Sequence, residues 1–402
     1  MKAPHATSIT ASPRTPFARG PVHGLLALLA LNACDRPYDG PPVTWEDSAG
    51  IRIGEAHIPV WDDSTRWRLD PEPLLDLHGH SSLDAHAFSR VRGMRWLPDG
   101  SIAVANTGTG EIRVFSPAGD FLASAGGEGE EPGKFSGMRQ MEIVGDSVFA
   151  LDRGGRVTVF GPGPAFVRTM TLHEGTASLH SLDEGTMVAE VTIPASEPEA
   201  PGFVRAPRAL LRFDIGGAQL DSIGWTAGTE TYTDFHSFAG TSLFPKRSQM
   251  DTRGGKVYYG SADVMEVREL SPSGELLRIL RIPDYPLELS EEEIELEREA
   301  RVAGAPDFAR AGMENAPAPP TRPAYSDLLV DPTGAIWLRP YVGAAEANEP
   351  ADWLVLHADG RWLGSIEVPA NFRIWDIGMD AVLGTRVDEE WVQHPQVLRL
   401  RR

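Results

Sequence analysis

With 402 residues, 41% of them hydrophobic and 23% charged, the chain has the composition of a globular protein and is too apolar to be disordered. Its 57 acidic against 37 basic residues leave a net charge of −20, a field that repels phosphate backbones and excludes nucleic acid as a partner. Glycine (41) and proline (33) are frequent without a collagen-like period, as an all-β chain with many tight turns requires.

The first 24 residues carry Lys2, Arg14 and Arg19 and no acid, and an apolar run, Leu25 to Leu31, follows them. This is the layout of an export signal, and the run is far shorter than the ~20 residues that cross a bilayer. Asn32 and Ala33 then lead to Cys34, the only cysteine of the chain. Small or apolar residues before a cysteine resemble the lipobox of bacterial lipoproteins. The resemblance implies a signal at 1–33 that is removed, a diacylglyceryl group on Cys34 and a linker over 34–49. It also implies an exported protein, anchored by lipid to a membrane of the cell envelope and facing the periplasm or the exterior. With no second cysteine, the exported chain has no disulfide and its core must stabilise it unaided.

From residue 91 onward a motif recurs. The segments "VRGMRWLPDGSIAVAN", "MRQMEIVGDSVFALD", "LHSLDEGTMVAEV", "QMDTRGGKVYYGS" and "YSDLLVDPTGAIWLRP" are each two short runs around a Gly- or Asp-containing turn. A second pair follows each of them: "IRVFSPAGDFLASAG", "VTVFGPGPAFVRTMT", "LLRFDIGGAQLDSIG", "VRELSPSGELLRILR" and "LVLHADGRWLGSIEV". Two consecutive hairpins make a four-stranded antiparallel unit, and a period of about 40 to 50 residues is that of a β-propeller blade. After the fifth unit, residues 372–402 supply three strands and the chain stops. The N-terminal segments "GIRIGEA" (50–56) and "WRLDPEPLLDL" (67–77) have no unit of their own. The economical solution is an all-β, six-bladed propeller over 50–402, closed by one of these strands, which leaves no open edge at the seam.

Residues 94–135, with "IAVANTGTGEIRVFSPAGDFLASAGGEG" running on to "GGEGEEPGKF", resemble the NHL-repeat propellers, in which the last strand of a blade passes through a glycine-rich turn and a Phe into the next blade. As a phosphate loop the same stretch fails, because Lys134 is followed by Phe135 and the neighbouring glutamates repel phosphate.

One link breaks the rhythm. In 283–323, Ser290 and Glu293 form a capping-box pattern that opens a surface helix ending near Ala303, followed by a proline-rich strap. The insert reads either as a lid over the central channel or as an acidic surface decoration.

No nucleophile elbow and no helix with paired metal-binding histidines is present. The densest candidate cluster is "LHGHSSLDAHAF" (77–88), where His78 precedes the set His80, Asp84 and His86. Imidazole and carboxylate together suit zinc or a similar divalent ion such as calcium. A second set lies at the ends of the second strands, Asn106, Asp152, Glu190, Arg339 and Arg386, placed on the rim of the channel to hold a small anionic or sugar-like ligand. Trp61, Trp67, Trp353 and Trp362 read as blade packing or as a partner surface. The expected function is a monomeric, non-catalytic binding or scaffolding module for a protein or small ligand. The alternative, from fold analogy, is a metal-dependent hydrolase or lyase of the lactonase or peptide-amidating-lyase type with its site at the channel mouth.

Overall fold

The computed structural model describes residues 38–81, 84–194, 200–233 and 242–402. Cys34 and the expected export signal lie outside the described residues. Residues 40–402 form one compact unit of six antiparallel blades. Blades 1 to 5 are contiguous in sequence, at 91–126, 140–171, 176–233, 249–281 and 325–368. The first strand of each blade is innermost and touches the first strands of both neighbouring blades, so six of them surround an axis.

Stacking of blades explains the burial pattern. Both faces of an inner strand meet a neighbour, so Ile102–Asn106 is buried at every position, whereas the outermost strand of the same blade, Phe121–Gly126, has no fully buried residue. The core is therefore divided into seams. Six apolar clusters fill them, one between each pair of adjacent blades, with Phe115, Phe160, Phe213, Trp337 and Trp353 among the largest fully or nearly fully buried side chains. Such side chains each remove of order 150–250 Å² from water and dominate the driving force.

Blade 6 unites the two ends of the chain. Its inner strands, Phe372–Ile377, Ala381–Val387 and Gln393–Arg401, are completed by an N-terminal strand, as the strand count requires. Three N-terminal strands are present: β1 (Val43–Ser48), β2 (Ile51–Ala56) and β3 (Arg68–Asp76). β3 pairs antiparallel with Gln393–Arg401, with Leu75 opposite Val397 and Arg68 opposite Arg401. It is an edge strand, and this is why Pro71 and Pro73 fit in it. Asp70 receives two hydrogen bonds from Arg401, at 2.6 and 2.7 Å. A single helical turn, α1 (Leu77–His80), follows β3, and its Leu77 packs the seam between blades 6 and 1 with Met94, Phe115 and Leu383, like the other seams.

β1 and β2 lie elsewhere. They form a hairpin on the outside of blade 4, where β2 runs parallel to the strand Leu276–Arg281 and makes that sheet six-stranded. β1 falls in the stretch assigned to a linker by the sequence; its alternation, "VTWEDS", is short and half polar. Arg281 donates to Glu55 at 2.9 Å, and the Arg52 guanidinium lies 4.3 Å from the Trp45 ring centre. Between β2 and β3 the chain crosses blade 5, where the Trp61 N–H donates to the Leu363 carbonyl at 2.7 Å. Residues 43–76 are thus a belt around blades 4, 5 and 6. Trp61, Trp67 and Trp337 stack in sequence at 5.1 and 6.1 Å, and Arg402 covers Trp67 while bridging to buried Asp331 at 2.8 Å. The tryptophans singled out in the sequence are packing residues, Trp61 and Trp67 in this belt, Trp353 in the seam between blades 5 and 6 and Trp362 in that between blades 4 and 5.

The glycine-rich link from blade 1 to blade 2 carries Gly126 at φ 101°, where an added Cβ would stand 2.5 Å from the Phe135 ring. In the insert, α2 (Glu291–Gly304) has the capping box, with the Ser290 hydroxyl accepting from the Glu293 N–H at 3.2 Å and the Ser290 N–H donating to the Glu293 carboxylate at 2.8 Å. A further helix, α3 (Asp307–Glu314), occupies the stretch expected to be strap. Buried Glu297 fixes the insert to the 341–346 link of blade 5, accepting from Tyr341, Arg301 and the Ala344 N–H.

Candidate functional site

The axis of the propeller holds a cavity of about 900 Å³, within the size range of ligand sites. Thr107, Gly137 and Arg153 line it, so its mouth opens on the face that carries the blade-to-blade links and the ends of the second strands. Eight arginines line this cavity against three carboxylates, Glu190, Asp251 and Asp327, in a protein whose net charge is −20.

The balance is sharper once internal partners are removed. Arg95 pairs with Glu142 at 2.7 Å and Arg208 with Glu190 at 3.3 Å. The other six, Arg90, Arg92, Arg139, Arg153, Arg247 and Arg373, are exposed at the mouth and bridge to no carboxylate among the described residues. Arg373 stacks over Trp375 at 4.2 Å. The three carboxylates are committed. Glu190 accepts from Ser178 at 3.2 Å, Thr226 at 2.9 Å and Arg208. Asp251 accepts from the N–H groups of Val330 at 2.7 Å and Thr252 at 2.8 Å, and Asp327 from that of Leu328 at 3.2 Å. Burial pushes the pKa of Asp251 and of Asp327 above the ordinary carboxylate value, in Asp327 against the opposing charges of Arg373 and Arg339.

The far end is neutralised. Burial opposes the charge of Arg95, but Glu142 and Asp376 outweigh it and hold its pKa above that of a free arginine. Arg253 meets Asp376 at 3.3 Å, and Gln140 donates to Glu142 at 3.2 Å. Among the described residues the channel is therefore graded, with an ion-paired floor and a mouth rich in arginines that bridge to no carboxylate. His180 lines the cavity between them, and its buried Nδ1 has no hydrogen-bond partner among the described residues.

The residues placed on the rim by sequence have different surroundings. Glu190 lines the axial cavity, and Arg339 lines an adjoining one of about 320 Å³, with its pKa lowered by burial and its Nε unpartnered. Arg386 is exposed and lines neither cavity. Asn106 and Asp152 are fully buried and hold backbone: Asn106 accepts from the Ser89 N–H at 2.8 Å, and Asp152 from Ser136 at 2.8 Å and Arg153 at 2.7 Å. Both thereby fix the links that present Arg90, Arg139 and Arg153 to the mouth.

His80, Asp84 and His86 are engaged separately. The buried His86 Nε2 lies 3.1 Å from the Gly119 carbonyl, His80 lies 3.5 Å from Asp120, and the Asp84 carbonyl accepts from Arg113 at 3.2 Å. Among the described residues no group of three or more His, Cys, Asp or Glu is arranged to hold a metal ion. No residue of 283–323 lines the axial cavity; the insert packs through Ile294 of α2 and through Ala316, beyond α3, in a cluster with Phe244 and Tyr341.

Sequence reasoning overlooked the mouth arginines because it placed the rim at the ends of the second strands. The first strand is the one nearest the axis, so its opening residues form the rim. Their signal was present in the recurrence of arginine there, in "VRGMRW", "MRQMEIV", "KRSQM" and "FRIWDI".

No family model matches the chain, and no curated protein does. Solved structures do. An exported-protein candidate from Bacteroides fragilis superposes with a TM-score of 0.51 at 12% identity, covering 86% of this chain and 97% of that one. A member of the DUF4221 family from Bacteroides vulgatus gives 0.53 at 11% identity, covering 84% and 99%. At such identities the likeness is one of fold, and it marks this chain as a six-bladed β-propeller.

Proposed function

We propose that this protein is an exported lipoprotein, anchored through Cys34, whose propeller is a non-catalytic binding module holding a small anionic ligand in its axial cavity. The observation that carries the reading is the set of six mouth arginines without a carboxylate partner among the described residues. Like charges crowded at one opening repel one another, and a fold selected for stability alone would pair them, as this fold pairs Arg95 and Arg253 at the other end. Guanidinium groups converging from several blades match the oxygens of carboxylate, phosphate or sulfate.

Export is supported by the signal-like N-terminus and by the description of one structural neighbour as an exported-protein candidate. The binding reading is tested by thermal unfolding with citrate, inorganic phosphate and neutral glycerol. The two anions raise the Tm in a manner that fades with added salt, whereas glycerol at equal concentration does not. Equal shifts from all three would refute it. The anchor is tested by Cys34→Ser, which releases the protein from the membrane fraction; a variant that still sediments with membranes would overturn lipid attachment.

A further inference from the structure

The axial cavity does not end at its own rim. Arg90 lines it and also lines two further depressions, of about 320 and 380 Å³, and Arg92 and Arg373 are shared by the axial cavity and the first of these. Together they form a groove that leaves the axis over blade 6, between the links of blades 5 and 1, and ends at Trp391, with Glu349 as the one carboxylate among the described residues that line its two outer depressions. That indole is 82% exposed, the most exposed tryptophan among the described residues, and it packs in none of the apolar clusters. The turn beneath it is nevertheless held firmly. The Asp388 carboxylate accepts from the N–H groups of Glu390 at 2.9 Å and Val392 at 2.8 Å, and meets His394 at 3.0 Å. A rigid platform thus presents an aromatic face to solvent.

The backbone adds a second, independent mark. Among the described residues seven non-glycine residues have positive φ, and three of them, Arg90 (52°), Asn371 (55°) and Trp391 (64°), line this one groove. A non-glycine side chain held in the left-handed region costs of order 1 kcal/mol or more, and such residues gather where a side chain must be aimed. Arg90 is held in this conformation by its carbonyl, which accepts from both the N–H and the hydroxyl of Thr107.

The groove therefore offers a flat apolar face at its outer end, the amides of Asn348 and Asn371 along its length and unpaired guanidinium groups at its inner end. That series matches a sugar chain bearing acid groups: the C–H face of a pyranose on the indole, hydroxyls on the amides, carboxylate or sulfate on arginine. An extended acidic peptide would look for a long unpaired strand edge, and toward Trp391 the groove is lined by links, turns and the ends of strands. We infer that the ligand is an acidic oligosaccharide that enters the axial cavity with one charged residue and lays the next ones along the groove to Trp391. This rests on the axial cavity being an anion site.

Calorimetric titration of the protein with D-galacturonate, trigalacturonate, a hyaluronan tetrasaccharide, neutral maltotriose and a hexaglutamate peptide tests it. At least one acidic oligosaccharide binds about tenfold or more tighter than galacturonate, a gain of about 1.4 kcal/mol. Maltotriose does not bind detectably. In Trp391→Ala the ratio of oligosaccharide to monosaccharide affinity falls toward one, and Trp391→Phe restores most of it. If galacturonate binds but neither oligosaccharide gains, or if the gain survives Trp391→Ala, the groove assignment is overturned and the axial anion site stands. Tighter binding of hexaglutamate than of either oligosaccharide overturns the assignment to sugars. If no anion binds, the axial reading falls and this one with it.

Discussion

Asn106 and Asp152 show how a buried polar residue serves a site it does not enter. Each sits at the end of the second strand of its blade with no exposed surface, and each turns its side chain back to catch an N–H of the preceding link, Ser89 or Ser136. Sequence reasoning found these positions because strand ends recur at a fixed period. It misjudged what they face, since the pairing of blade 1's first two strands shifts register between Val91 and Met94 and the second strand lies one step out from the axis. Asn106→Ala removes the fully buried amide that accepts from the part-buried Ser89 N–H, and the loss of that hydrogen bond costs about 0.5–1.5 kcal/mol. It should also weaken anion binding, because the link carrying Arg90 loses its anchor. Denaturant unfolding and titration of the same variant read the two effects; an unchanged midpoint would show that Asn106 fixes nothing.

At the scale of the element, the insert and the closing strand contrast. The capping box of α2 was legible, because Ser290 and Glu293 stand at the required spacing and the physics is local. Its seat was not, since this depends on Tyr341 and Phe244, far away in sequence. The pKa of Glu293 is pulled down from its ordinary 4.5 to about 2, chiefly by the backbone N–H of Ser290, with partial burial opposing and Arg322 assisting. A depressed carboxylate contributes stability above its unfolded pKa and loses it as pH falls through the folded value. The protection of the insert against proteolysis should therefore weaken between about pH 4.5 and 2, and Glu293→Gln should flatten that dependence. A variant with the same pH profile as the parent would contradict this.

β3 was predictable by counting, because a blade of three strands demands a fourth, but the choice between the two N-terminal segments needed the belt to be seen. β1 and β2 add an outer layer to blade 4, while β3 fills a gap in the ring. A chain beginning at residue 57 should unfold cooperatively with a modestly lower Tm. One beginning at residue 78 exposes the unpaired edge of Gln393–Arg401 and removes Leu75 and Leu77 from the seam between blades 6 and 1, so it should lose cooperative unfolding. Equal behaviour of the two truncations would show that β3 does not close the ring.

For the whole molecule, a strongly acidic surface encloses an axis whose mouth is cationic. Composition shows the first and conceals the second, because net charge averages over a distribution that the fold sorts by position. Six seams of apolar packing make the ring stiff, so the mouth arginines are held in place before any ligand arrives. A site of this kind sets stability against binding. Replacing Arg92, Arg139 and Arg247 together by Gln should leave the Tm at low ionic strength equal or slightly raised, because exposed like charges repel by a few tenths of a kcal/mol per pair. The most direct measurement is calorimetric titration of citrate into the parent protein and into this triple variant at low and at physiological salt. The account predicts one saturable site in the parent, weakened by salt and lost in the variant while its fold is retained. Equal binding in both proteins, or none in either, would contradict it.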